Sequence, residues 1–125
     1  MPTQAGDDVW TPICALDELP VERGVTALVR GHAVAVFLVP DGSVYAIGNH
    51  DPLSRATVLG RGIVGARAGV PFVASTSSRL AFDLRTGRCL DDPTLRVPAY
   101  AVRVVAGVVH VGPRHEPWLP DSPED

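Results

Sequence analysis

An all-β fold is the prediction from this 125-residue sequence, and three features carry it. Valine occurs 19 times, and β-branched side chains suit strands. Twelve Gly and twelve Pro punctuate the chain, which favours turns and short strands over long helices. No segment keeps a helical period for ten residues. Hydrophobic residues at 46% and charged residues at 20% describe a folded domain rather than a disordered chain, and the length suits one domain.

Val9 to Cys14 reads as a first strand, which Pro12 confines to an edge or a bulge. Ala15 to Pro20 is a turn-like connection, and Val25–Arg30 a second strand. Ala33–Val39 is apolar throughout, so a strand covered on both faces is expected. Asp41-Gly42 is a tight hairpin turn leading into Ser43–Gly48. After an irregular stretch from Asn49 to Gly62, short strands resume at Ile63–Arg67, Phe72–Ser75, Leu80–Leu84 and Arg88–Leu90. In the last hairpin Tyr100, Val102 and Val104 alternate with Ala101, Arg103 and Val105, and Ala106-Gly107 turns the chain into Val108–Val111. About ten short strands predict an antiparallel sandwich or barrel. Residues 9–112 form the expected domain, and 1–8 and 113–125 the expected flexible tails, with Trp118 inside the second.

Charge narrows the function classes. The net charge is −3, but both tails are acidic and the body is close to +2. Nucleic-acid binding wants a strongly basic face, so it is not expected. The longest apolar run has seven residues, far short of a membrane span, and the first 20 residues lack the cations and apolar stretch of a signal peptide. Cys14 and Cys89 are expected as two reduced thiols packed as small hydrophobes.

Residues with chemistry are few. His50 and Asp51 are neighbours on an extended loop and point apart, so joint metal binding is not expected. His32 and His110 fit structural or solvated positions, and Ser75, Ser77 and Ser78 have no His–Asp pair nearby to suggest a nucleophile. Gly60-Arg61-Gly62 lacks the Lys-Ser/Thr that follows a phosphate loop. Asp51-Pro52 and Asp91-Asp92-Pro93 suit turns in which the carboxylate accepts backbone N–H groups just ahead of it. Arg55, Arg61, Arg67 and Arg79 lie on or beside two loops; they serve equally as solvated charges or as forks for a partner's carboxylates.

The order of strand, Tyr45-Ala46-Ile47, irregular loop, second strand-loop ending in Phe82-Asp83-Leu84, and Thr86-Gly87-Arg88-Cys89-Leu90 resembles the Rieske [2Fe–2S] ferredoxin domain, from Val9 to Val111. The resemblance implies a Rieske-like antiparallel β-sandwich or barrel with two protruding loops. In that family the loops carry C-x-H and C-x-x-H, because the cluster needs two thiolates and two imidazoles. Those positions fall here on Asp51 and Leu53, and on Ser75 and Ser78, so no cluster or other metal is expected.

Asn49-x-Asp51-Pro52 with Ser54, Arg61-Gly62-Ile63-Val64-Gly65, and Leu84 to Pro93 with its Cys-Leu-Asp-Asp-Pro, resemble the small subunit of NAD(P)H-dependent assimilatory nitrite reductase. That family's large subunit holds siroheme, an iron–sulfur cluster and FAD, and reduces nitrite to ammonium in nitrate assimilation. The resemblance implies a cytoplasmic, cofactor-free companion without catalytic residues of its own. The expected docking residues for the large subunit are Asn49, Asp51, Arg55, Arg61 and Arg79. The alternative is a degenerate Rieske-like module that docks on another redox enzyme or an oxygenase.

Overall fold

In a computed structural model of the chain, residues 10–115 are described; the expected tail 1–8, Val9 and, of the expected tail 113–125, residues 116–125 with Trp118 lie outside the described residues. Among the described residues nine strands follow one another: β1 (Thr11–Ala15), β2 (Val25–Val29), β3 (His32–Leu38), β4 (Val44–Gly48), β5 (Ile63–Arg67), β6 (Val70–Ala74), β7 (Ala81–Asp83), β8 (Ala99–Val105) and β9 (Val108–His115). Two single 3-10 turns, Leu16–Glu18 and Leu59–Arg61, interrupt them. One sheet has six strands in the order β1-β9-β8-β4-β3-β2, and the other has three, β5-β6-β7, all antiparallel. No helix among the described residues is long and apolar enough to cross a membrane.

The apolar run at β3 explains the layering. Val34, Ala35, Val36 and Phe37 are all fully buried, because successive side chains enter different cores. Ala35 and Phe37 join Ile47, Leu59, Val73, Phe82 and Leu84 in the core between the two sheets. Val34 and Val36 join Val29, Ala46, Tyr100, Val109 and Val111 in a second core, inside the curl of the larger sheet. The larger sheet is thus closed towards a barrel, with the smaller one packed on its outer face.

Punctuation residues act as their chemistry requires. Pro12 sits on edge strand β1 where the register with β9 slips between Pro12 and Cys14. In the β3–β4 hairpin Gly42 adopts φ +94°, and Asp41 accepts the Ser43 N–H at 2.8 Å. Cys14 is half-buried and Cys89 buried, both as free thiols, and burial pushes the Cys89 thiol above its ordinary value.

Two expectations need correction. Arg88–Leu90 is not a strand: it makes single bridges, Cys89 opposite Phe82 and Arg88 opposite Arg96. Pairing stops there because Asp91 folds back and accepts the Ala81 N–H at 2.8 Å. The last strand also continues past Val111 to His115, so residues 113–115 belong to β9 and not to a tail. Proline lacks the ladder donor, which argues for a stop at Pro113. The register instead slips between Tyr100 and Val102, so the bulge absorbs Gly112-Pro113, and pairing resumes at Tyr100–Arg114 and Ala99–His115. A chain ending at Pro113 is therefore expected to be less stable than one ending at His115, by about 1–2 kcal/mol for the lost ladder bonds. Equal urea midpoints for the two truncations would show that these last pairs contribute nothing.

Candidate functional site

The two loops expected at one end of the fold are built on one backbone turn used twice. In the first, the Asp51 N–H donates to the Ala56 carbonyl and the Arg55 N–H to the Asp51 carbonyl, both at 2.8 Å. The Asp51 carboxylate accepts the N–H groups of Leu53 (2.8 Å) and Ser54 (3.2 Å), and Ser54 Oγ accepts that of Ala56 (3.3 Å). In the second, the Ser75 N–H donates to Leu80 and the Arg79 N–H to Ser75, both at 2.9 Å. Ser75 Oγ accepts from Ser77 (3.1 Å) and Ser78 (3.2 Å), and Ser78 Oγ from Leu80 (3.3 Å). The fifth residue of each turn is left-handed, Arg55 at φ +68° and Arg79 at φ +69°.

A third copy lies at Asp83–Arg88. There Asp83 accepts the N–H of Arg85 (2.8 Å), Thr86 Oγ1 accepts that of Arg88 (3.2 Å), and Gly87 holds the left-handed position at φ +82°. The three share a short pattern: Asp51-x-x-Ser54-Arg55, Ser75-x-x-Ser78-Arg79 and Asp83-x-x-Thr86-Gly87. This signal is visible in the sequence. It is easily passed over, because five residues with two chemistries at the first position do not look like a repeat.

The first two turns are joined head to head. Asp51 and Ser75 are both buried, and Ser75 Oγ donates to the other Asp51 carboxylate oxygen at 2.5 Å. Burial raises the Asp51 pKa, but hydrogen bonds from Ser75, Ser78, Leu53 and Ser54 outweigh it and bring the carboxyl down to about 2. Asn49 supports the first loop from below. Its buried side chain accepts the Gly60 N–H at 2.5 Å, and its carbonyl accepts the Leu59 N–H at 3.1 Å. The 3-10 turn carrying Arg61 is thereby fixed to the end of β4.

These residues do not fit an iron–sulfur cluster. Leu53 has no donor atom and is 57% exposed. The Ser75 hydroxyl is spent on Asp51, and both Asp51 oxygens already accept hydrogen bonds. Iron of this type takes thiolates and imidazoles. Among the described residues no three His, Cys, Asp or Glu side chains gather as a metal site. His50 is exposed and pairs by backbone only, opposite Thr57.

Of the four arginines beside the loops, three belong to this end. Arg55 and Arg79 hold equivalent places in the joined turns, and Arg61 closes the neighbouring 3-10 turn. Arg67 does not belong: it lies at the far end of β5, about 13 Å along the strand from Ile63. There it pairs with Asp91 at 3.0 Å and covers the Phe72 ring. Leu53 and Ile63 are exposed, the latter at 67%, and Ile63 lines one concavity with Arg79. Exposed apolar side chains together with arginine are a composition typical of protein–protein contacts.

The chain matches the Rieske-like [2Fe-2S] domain over residues 9–112. An NADH-dependent nitrite reductase small subunit from Mycobacterium tuberculosis is similar in structure, with 50% identity and a TM-score of 0.81 over 82% of this chain and 93% of that one. The nitrite reductase (NADH) small subunit of Escherichia coli K12 is 37% identical over 82% of this chain and 95% of its own length. A nitrite reductase [NAD(P)H] large subunit from Klebsiella oxytoca is 39% identical over the same share of this chain, which spans 11% of that longer protein.

Proposed function

This chain belongs to the Rieske-like [2Fe-2S] domain family and, within it, to the nitrite reductase small subunits, and we propose that it serves a siroheme-type NAD(P)H nitrite reductase as a cofactor-free docking subunit. The match to a small subunit along 95% of its length carries this reading. It favours nitrite reduction over the alternative of an oxygenase module. The partner is the large subunit, which in this reading holds siroheme, iron–sulfur cluster and FAD and performs the reduction of nitrite to ammonium in the cytoplasm. The Klebsiella relative supports the pairing, because there a domain like this one lies within a large subunit.

The docking surface is the end that carries the two joined turns. Asn49 and Asp51 hold its shape, and Arg55, Arg61 and Arg79 supply the charge. Loops fixed on a rigid β scaffold commonly carry binding function. The chain contributes no reacting group. It presents a preformed surface whose loops lose little freedom on association.

The test of the function is co-expression with the large subunit. The two are expected to co-purify, and the small subunit to support nitrite-dependent NAD(P)H oxidation. Purification of the large subunit alone, fully active and unresponsive to added small subunit, would defeat the reading. The isolated small subunit is expected to be colourless after anaerobic purification; stoichiometric iron with visible absorbance would contradict it. For the surface, Arg55→Ala combined with Arg79→Ala is expected to weaken binding about fivefold to tenfold, since exposed ion pairs contribute roughly 0–1 kcal/mol each. Circular dichroism of the free variant should stay unchanged. Wild-type affinity would move the interface to another face.

A further inference from the structure

A second feature lies beside the joined turns and is not used by them. The segment before β2 and the 3-10 turn after the first loop meet backbone to backbone. A Cβ on Gly24 would lie 2.4 Å from the Gly60 carbonyl oxygen and 2.8 Å from its Cα. One on Gly60 would lie 2.7 Å from Thr26 Oγ1. Side chains at either place would push the two segments apart. Glycine lets them close, and Arg23 and Arg61 line a single cleft there.

That cleft has a volume of about 240 Å³ and is lined by Arg23, Gly24, Gly60, Arg61 and Gly62. No acidic side chain lines it. Among the described residues neither Arg23 nor Arg61 has an ion-pair partner, in contrast to Arg67 and Arg85, which are held by Asp91 and Asp83. Two arginines lining one small concavity carry like charges, which an anion bound there relieves. Guanidinium forks match the geometry of a carboxylate, which can accept from both. The cleft is smaller than the usual small-ligand pocket of roughly 300–1,000 Å³, so a nucleotide cofactor is not its natural occupant. A single carboxylate suits its size and charge.

We propose that the Arg23–Arg61 cleft is a carboxylate-binding site, filled in the complex by an aspartate or glutamate side chain of the large subunit. The proposal rests on the docking reading above and extends it: Arg23 lies outside the two loops and widens the contact towards β2. Asn49 gains a positioning role, since its hydrogen bond to Gly60 holds the turn on which Arg61 sits.

A double-mutant cycle on the binding of intact large subunit tests this. Arg23→Ala and Arg61→Ala are each expected to weaken binding about tenfold. Together they should cost far less than the product of the two, because both arginines hold one group. Arg23→Lys keeps the charge and loses the fork, and is expected to stay at least about fivefold weaker than wild type. Fully multiplicative effects, or wild-type affinity for Arg23→Lys or Arg23→Ala, would overturn the shared carboxylate. The Arg55→Ala/Arg79→Ala variant separates the two readings. If it weakens binding while Arg23→Ala does not, docking at the loop end stands and the cleft assignment falls. If neither weakens binding, the docking reading itself falls, and the cleft assignment with it.

Discussion

Replacing Asp51 by alanine is expected to lower the thermal midpoint by about 10 °C, the largest loss available from one side chain in the loops. Four donors lose their acceptor at once: the N–H groups of Leu53 and Ser54 and the hydroxyls of Ser75 and Ser78. Unsatisfied donors in a buried place cost about 1–3 kcal/mol each, and partial rehydration of the loop leaves a net loss of about 3 kcal/mol. At this chain length each kcal/mol moves the midpoint by roughly 3–5 °C. Asp51→Asn keeps the shape and one accepting oxygen, and is expected to cost only about 1 kcal/mol. Differential scanning calorimetry of the two variants decides; an Asp51→Ala midpoint within about 2 °C of wild type would mean the turns hold without the carboxylate.

The same group sets an acid response. Its pKa is 3.8 in the unfolded reference and about 2 in the folded chain. A carboxylate with a depressed folded pKa stabilises fully above the unfolded value and loses that contribution as pH falls through the folded one. The wild-type chain is therefore expected to lose about 2 kcal/mol between about pH 4 and pH 2 on account of Asp51. Asp51→Asn should lack that part of the slope. Parallel stability curves for the two proteins over this window would refute the assignment.

Gly87→Ala is expected to be more damaging still, by about 4 kcal/mol, for reasons that a control can separate. The position is left-handed, φ +82°, which costs an alanine about 1 kcal/mol. An added Cβ would also lie 2.0 Å from the Val97 carbonyl oxygen, in backbone that is itself fixed by the Val97 N–H donating to Gly87 at 2.8 Å. Gly69 has the same φ, +82°, with nothing within 4 Å of a built Cβ. Gly69→Ala therefore measures the backbone cost alone. The difference between the two urea midpoints isolates the collision, and equal midpoints would show that Val97 yields freely. The comparison also explains why one turn ends in glycine and its two copies in arginine. Arg55 and Arg79 are exposed, so their Cβ atoms have room that Gly87 lacks.

Much of the fold was legible because its signals are local. Alternation in Tyr100–Val105, Asp41-Gly42 and Ala106-Gly107 fix hairpins within a few residues of chain. The apolar β3 run announced burial on both faces, though not that each face has its own core. The end of β9 was hidden because proline usually ends pairing, whereas a bulge set by distant Ala101 accommodates it. The positions matching the cluster ligands, Asp51 and Ser75, could be read from the order of motifs. Their mutual hydrogen bond could not, because it joins residues 24 apart whose approach depends on both sheets. Arg23 escaped attention for the same reason: only the contact of Gly24 with Gly60 makes it a neighbour of Arg61.

The bond between Asp51 and Ser75 also bears on how such a subunit is made and used. A loop pair drawn together by an iron cluster takes its final shape only after metal delivery, and its charge changes whenever an electron arrives. Here the crosslink is a side-chain carboxylate and a hydroxyl, both present as soon as the chain leaves the ribosome. Joining these two loops then needs no iron supply and no cluster-assembly machinery. In the proposed complex this surface carries the same charge at every stage of turnover, so any change in affinity through the cycle arises from the partner.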